Sequence, residues 1–349
     1  MFYCTVLSTD VATKTASDHV LNGKFVNPDP KSRYKIGISN IFSGLWKYIT
    51  EKSEDSKPKD KNVIPVIKQS IESLLELEDY SVIRLLHSTL LFKIEGKFWL
   101  TDPVFSDNIS PTNILSSKRF HVLPINIENL PEVEGVVISH NHYDHLDEDS
   151  IKSLRNKTKK FFVPLGLSDT LIQFGINKEN IVELDWWESA RHESIELVAT
   201  PAQHFSGRGL FDGGKTLWCS WVINSPKAKI YFSGDSGYFK GFKEIGQKYG
   251  PFDMTFLEAG AYHEDWKEMH MMPVESVQSH IDLRGNIMFP IHNSSFDLAM
   301  HSWHEPFGII FSIANRMHVD ATFPKMGEAV SVFGHIKTEK WWKMKRANE

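Results

Sequence analysis

The chain is poor in cysteine. Only Cys4 and Cys219 occur in 349 residues, far apart and in dissimilar surroundings, which excludes a disulfide framework and an all-cysteine zinc site. Positive charge is not in excess: 39 Lys and Arg stand against 44 Asp and Glu, a formal net charge of -5. Such a field repels a phosphate polyanion, so no nucleic-acid partner is expected. No apolar run reaches the roughly 20 residues of a membrane-spanning helix. Residues 1–10 lack the basic start and apolar stretch of a signal peptide, which leaves a cytoplasmic or peripheral membrane protein, or a chain that begins after processing. No fixed repeat period runs through the sequence, which removes solenoids and propellers. What remains is 41% apolar and 24% charged, ordinary globular composition with enough apolar surface for a sizeable core.

The first thirty residues are polar and irregular and read as an arm. Ile38, Ile41, Phe42, Leu45, Trp46 and Ile49 then follow the spacing of one helix face. Glu51 to Asn62 mixes both charge signs with one Pro and reads as a solvated linker. The expected division is an arm, amphipathic helix and linker over 1–62, then one domain over 63–349. In that domain a helical stretch around Ile67 to Leu77 precedes a β-meander at Val82 to Leu86, Leu90 to Ile94 and Phe98 to Thr101. Further strands are expected at Glu134 to Ser139, Phe161 to Val163, Ile195 to Ala199, Leu217 to Ile223, Ala228 to Ser233, Met254 to Leu257, Asn286 to Ile291 and Ala329 to Phe333. Helical periodicity lies between them near Ile151 to Arg155, Ser168 to Phe174, Phe239 to Tyr249, Pro273 to Leu283 and Phe307 to Met317. The alternation points to an α/β fold.

The chemistry concentrates in Ser139 to Asp147, SHNHYDHLD, where His140, His142, Asp144 and His145 form H-x-H-x-D-H. With 16 His and 20 Asp in the chain, chance supplies roughly two such matches per thousand sequences. Imidazole and carboxylate at that spacing after a strand suit zinc, and also iron or manganese. Three more candidates stand just after expected strands: His204 in PAQH, Asp235 in FSGDSGY and His292 in FPIH. Each alone also fits a turn or capping role.

H-x-H-x-D-H followed by His, Asp and His at strand ends resembles the metallo-β-lactamase superfamily of dinuclear metal hydrolases. LTDPVFS (100–106), PAQHFSGRGLFDGGKTLWCSW (201–221), SGDSGYF, GPFDMTFLEAGAY (250–262) and the stretch around His270 to Ser276 further resemble the N-acyl-phosphatidylethanolamine-hydrolysing phospholipase D group and its bacterial relatives. The resemblance runs from about Tyr80 to the C-terminus. One departure is Leu86 before His87, where relatives usually carry Gly; it alters local backbone and touches no expected ligand. The resemblance implies an αββα four-layer sandwich. It implies two Zn2+, one held by His140, His142 and His204, the other by Asp144, His145 and His292, with Asp235 bridging. Asp144, Asp235 and His270 would be catalytic, His270 through substrate contact or proton transfer to the leaving group, although a surface histidine at a helix start stays open. The implied reaction is attack of a metal-bridging hydroxide on a phospholipid substrate, N-acyl-phosphatidylethanolamine, releasing N-acylethanolamine and phosphatidic acid. Asp102 in TDP would orient a metal-binding loop or cap a turn.

Trp218, Trp221, Tyr238, Tyr262 and Trp266 flank these segments and fit either an acyl-chain groove or core packing. A lipid substrate makes residues 38–49 a candidate membrane contact, against packing on the domain or on the second copy of a homodimer. Two motifs mislead. Gly209 to Thr216 (GLFDGGKT) matches a phosphate loop but leads into a β-run rather than a helix. Gly234 to Gly237 (GDSG) resembles a serine-protease nucleophile segment, which the α/β alternation contradicts. The rival readings are a soluble hydrolase of other phosphodiesters or sugar-phosphate lactones, and a non-catalytic metal-binding or membrane-scaffold protein.

Overall fold

Period-two burial along the strands decides the layers, because one face of each strand meets the opposite sheet and the other meets helices. The computed structural model describes residues 19–29, 50–110, 117–209, 211–334 and 339–343. In chain order the strands are β1 (Val20–Leu21), β2 (Lys24–Phe25), β3 (Ser81–Leu86), β4 (Thr89–Ile94), β5 (Lys97–Thr101), β6 (Val133–Val137), β7 (Thr158–Pro164), β8 (Ile181–Leu184), β9 (Ser189–His192), β10 (Ile195–Thr200), β11 (Ser220–Asn224), β12 (Lys229–Phe232), β13 (Phe252–Glu258), β14 (Gly285–Ile291) and β15 (Ala329–Ser331). The helices are α1 (Ile71–Leu75), α2 (Glu148–Leu154), α3 (Ser168–Gln173), α4 (Gly241–Tyr249), α5 (Pro273–Asp282) and α6 (Glu305–Met317).

Seven strands form one sheet in the order β15-β3-β4-β5-β6-β7-β8, and six form the other as β14-β13-β12-β11-β10-β9. Val82, Leu90, Phe92 and Trp99 from the first sheet meet Leu197, Trp221, Phe232, Phe256 and Phe289 from the second in one buried cluster. The alternate residues Ile83, Leu91 and Leu100 turn outward to Leu74, Ile151, Leu154 and Leu171 on α1, α2 and α3. Val198, Tyr231 and Met288 turn outward on the other side, to Phe242, Ile245, Val277 and Phe307 on α4, α5 and α6. The result is the expected αββα sandwich.

Differences from expectation follow physical causes. Strands β8 and β9 were not anticipated: β9 is an edge strand whose residues alternate exposed and half-buried, so it carries no apolar run. The expected arm contains the β1–β2 hairpin, which docks on the domain. Phe25 N donates to Gly214 O (2.8 Å), and the His19 ring stacks on Trp186 with centroids 4.2 Å apart. The expected linker is fastened too, by Ser53 N to Met300 O (2.7 Å) and Lys52 to Asp297 (2.7 Å). The helix expected at 38–49 lies outside the described residues. Among those described, no helix is long and apolar enough to cross a membrane. Leu86 needs no left-handed backbone and is buried against Val104 and Phe296.

Candidate metal centre

The site forms where loops leave the ends of β5, β6, β10, β12 and β14. The H-x-H-x-D-H loop follows β6 and ends at Asp147, whose carboxylate caps α2 through Ser150 N (3.3 Å) and also accepts from Ser106 Oγ (2.7 Å). Gly234 lets the β12 loop reach it: its φ is +55° and an added Cβ would stand 2.4 Å from Ser139 Cβ. Asp102 and His292 leave their strands with φ of 34° and 63°, a conformation costing an L-residue about 1–2 kcal/mol. Strain at both positions is held by the surrounding contacts.

These loops bring all seven sequence candidates together. His140 Nε2 and His204 Nε2 lie 2.9 and 3.2 Å from His142 Nδ1. Partners that only accept settle the tautomers. His204 Nδ1 donates to Met269 O (3.0 Å), and Ser139 Oγ gives its proton to Asp102 Oδ2 (2.6 Å), so it must accept from His140 Nδ1 (2.9 Å). Both Nε2 atoms therefore carry lone pairs, converging on one point. At a second point His145 Nε2 lies 3.1 Å from Asp235 Oδ1, and His292 Nε2 lies 3.4 Å from Asp144 Oδ2 and 3.1 Å from Asp235 Oδ2. Asp235 Oδ2 is also 3.7 to 3.8 Å from His204 and His140, so its carboxylate lies between the two groups.

The residues fit divalent cations. Among the described residues, His145 Nε2, Asp235 Oδ1 and both ring nitrogens of His292 are buried without a hydrogen-bond partner, an arrangement that is costly unless a ligand completes it. Burial opposes charge on each imidazole, holding His140 and His204 well below their ordinary range and His142 at about 4. At His145 and His292 the same burial is outweighed by Asp235 and Asp144, so His145 is held well above its ordinary value and His292 is pushed up to about 10. Carboxylates that draw protons onto buried imidazoles mark a place where a metal would replace those protons.

Several residues support the site; Asp102 and His270 were anticipated in the sequence, and His87, Arg84, Asn27 and Glu258 were not. His145 Nδ1 donates to Asp102 Oδ2 (2.6 Å), which gives Asp102 the orienting role. His87, at the end of β3, places Nε2 3.3 Å from Asp144 Oδ2, so the Leu86–His87 step does touch an expected ligand. Arg84, fully buried without a carboxylate, donates from Nε to His87 O (3.1 Å) and from its terminal nitrogens to Asn293 Oδ1 (2.9 Å) and Asn293 O, tying the β3 and β14 loops together. Asn27 Oδ1, behind the hairpin, accepts from His204 N (2.9 Å). Glu258, at the end of β13, accepts from His270 Nδ1 (2.5 Å). Burial raises Glu258 above its usual value. Burial would lower His270, but the charge and hydrogen bond of Glu258 outweigh it and hold the ring above its usual value. The one signal shared by His87 and Glu258 is their position at strand ends.

A cavity of about 290 Å³ opens over the cluster. His142, Asp144, Asp235, His270 and His292 are its polar lining, and Phe205, Ala261, Trp266, Met269 and Leu298 its apolar lining. Of the five aromatics singled out, Trp266 alone lines it. Trp218 and Trp221 are core residues whose indole nitrogens donate to Ala202 O (2.9 Å) and Ile138 O (3.0 Å). Tyr238 and Tyr262 are tied by their hydroxyls to Asp282 and Glu305.

A family profile described as a beta-lactamase superfamily domain matches residues 99–293. The chain belongs to the metallo-β-lactamase superfamily. It is a metal-dependent hydrolase of that superfamily. An uncharacterized protein of Mycobacterium tuberculosis is 37% identical over 339 residues, 95% of this chain and 89% of the relative. N-acyl-phosphatidylethanolamine-hydrolyzing phospholipase D 1 of Caenorhabditis elegans is 34% identical over 304 residues, 82% of this chain and 85% of that protein. An isothiocyanate hydrolase from Delia radicum gut bacteria superposes with a TM-score of 0.58 at 18% identity, covering 72% of this chain and 98% of its own, a likeness of fold.

Proposed function

We propose that this metallo-β-lactamase superfamily member is a dinuclear phosphodiester hydrolase that cleaves N-acyl-phosphatidylethanolamine to N-acylethanolamine and phosphatidic acid. The observation that carries the reading is the mixed lining of the cavity: ligand residues that suit a phosphodiester share it with Phe205, Trp266, Met269 and Leu298, which suit an acyl chain. The printed activity of the C. elegans relative, matched along most of both chains, supports it. Residues 63–349 would be the hydrolase domain and 1–62 its extension, with 38–49 as a peripheral membrane contact.

His140, His142 and His204 would hold one metal and Asp144, His145 and His292 the other, with Asp235 shared. Zinc suits this donor set, and iron or manganese would be accepted by it. Bound there, two divalent cations would supply a water ionised near neutral pH and positive charge against the phosphoryl oxygens. The chain does the rest. Asp102, Ser139 and the Met269 carbonyl fix which ring nitrogens face inward. The apolar lining keeps water from the acyl chain, and His270 faces the leaving alcohol. The test is elemental analysis of the purified protein with product identification from N-acyl-phosphatidylethanolamine. Two metals per chain and release of N-acylethanolamine are expected; diacylglycerol or free fatty acid as the product would overturn the reading.

A further inference from the structure

A carboxylate at the end of a strand inside a sheet, fully shielded from solvent, is expensive and needs partners on both oxygens. Glu258 has them. Oε1 accepts from His270 Nδ1 (2.5 Å) and Oε2 accepts from Ser236 N (2.7 Å), the amide that follows Asp235. Its backbone is held as well: Glu258 N donates to Ser233 Oγ (3.0 Å), and Glu258 O accepts from Ser276 Oγ (2.8 Å). One side chain thus ties the β12 loop, which carries Asp235, to the turn that carries His270. That turn is itself held close, since a Cβ on Gly237 would stand 2.1 Å from Glu268 O.

With Nδ1 committed to Glu258, Nε2 is the nitrogen that His270 offers to the cavity. Among the described residues Nε2 has no hydrogen-bond partner, and a ring nitrogen of His270 lies within 4.8 Å of ligand atoms of Asp235 and His292. We infer that Glu258 is the positioning residue for leaving-group protonation: it fixes the orientation and tautomer of His270 so that Nε2 delivers a proton to the departing alcohol oxygen. The inference rests on the phosphodiester reading above. As the phosphorus–oxygen bond breaks, its electron pair passes to the leaving oxygen, which takes the Nε2 proton; the ring keeps Nδ1–H on Glu258 and regains the Nε2 proton from solvent. A glutamine cannot replace Glu258, because its oxygen would take the place of one carboxylate oxygen and its NH2 the other, so either His270 Nδ1–H or Ser236 N–H would face a second donor.

The experiment compares wild type with Glu258→Gln and Glu258→Asp on two diesters in the same micelles, N-acyl-phosphatidylethanolamine and a phosphatidyl p-nitrophenol ester. The p-nitrophenolate departs without a proton. Glu258→Gln is expected to lower kcat on the alkyl substrate about 10- to 100-fold, with KM changed less than about threefold. On the p-nitrophenyl ester the loss shrinks to within about threefold, metal content holds, and Glu258→Asp recovers part of the alkyl activity. Equal loss on both substrates, or no loss on either, overturns the inference. Proton and 15N NMR of the metal-loaded wild type provides a readout that needs no variant: a deshielded Nδ1–H on His270 is expected, and a ring whose single proton sits on Nε2 overturns the positioning. Wild type inactive on both diesters would instead overturn the phosphodiester reading, and the proton-transfer role with it, while the NMR result still decides what Glu258 holds.

Discussion

The two halves of the candidate metal centre are built from opposite materials. Around His140, His142 and His204, burial strips the rings of charge, and two lone pairs are aimed inward by a serine hydroxyl and a backbone carbonyl. Around Asp144, His145 and His292, carboxylates dominate, and burial fails to keep the imidazoles neutral. The first half is preorganised for a cation by tautomer, the second by charge. Asp235 belongs to both, so a change there should be the most damaging, and changes confined to one half should be separable.

Asp235→Asn keeps one oxygen but loses the charge facing both groups. Turnover is expected to fall at least about 100-fold while much of the metal stays bound; near wild-type turnover at full loading would show that the carboxylate is not shared. Next in size are His204→Ala and His292→Ala. Each is expected to reduce metal content from two ions per chain towards one, with the fold retained by circular dichroism, and dialysis against a graded chelator should empty the halves in different orders in the two variants. Identical chelator curves would mean that the halves act as one unit. Ser139→Ala removes the acceptor that fixes His140 and one donor to the Asp102 carboxylate that holds His145, so a loss of metal affinity of up to about 10-fold is expected, larger in the first half than in the second.

A separate effect, on stability rather than on the metal centre, concerns a buried histidine with no cation to meet. His280 on α5 is hydrogen-bonded to Thr255 Oγ1 (2.7 Å) and burial lowers it from 6.5 to about 4. Between those values the unfolded chain binds the proton and the folded one does not. The contribution is therefore intact at neutral pH and is lost as pH falls from 6.5 towards 4, by up to about 3 kcal/mol. Urea unfolding of His280→Asn is expected to show a weaker decline in midpoint from pH 7 to pH 5 than wild type. An unchanged slope would mean that His280 does not set it.

The motif loop was legible because its four chemical residues are contiguous and follow an apolar run, so local spacing carried the signal. The same holds for strands such as β4 and β12, whose alternate residues are apolar and reach two separate cores. His87 and Asn27 were not legible as site residues, because their partners Asp144 and His204 are 57 and 177 positions away. Edge strand β9 was missed because half-exposed positions have no reason to be apolar.

By itself the sequence determined an α/β alternation, through apolar runs set between helical stretches, and the chemical types at the site, through the spacing of His and Asp after strands; the αββα layering came in with the family resemblance its motifs carry. Only the tertiary structure decided which atoms of those residues meet. Which ring nitrogen faces inward depends on Asp102, Ser139, Met269 and Glu258, and the apolar share of the cavity lining depends on Phe205, Met269 and Leu298. Hydrogen bonds of about 3 Å between residues far apart in the chain set tautomer and orientation, and no local pattern in the sequence encodes them.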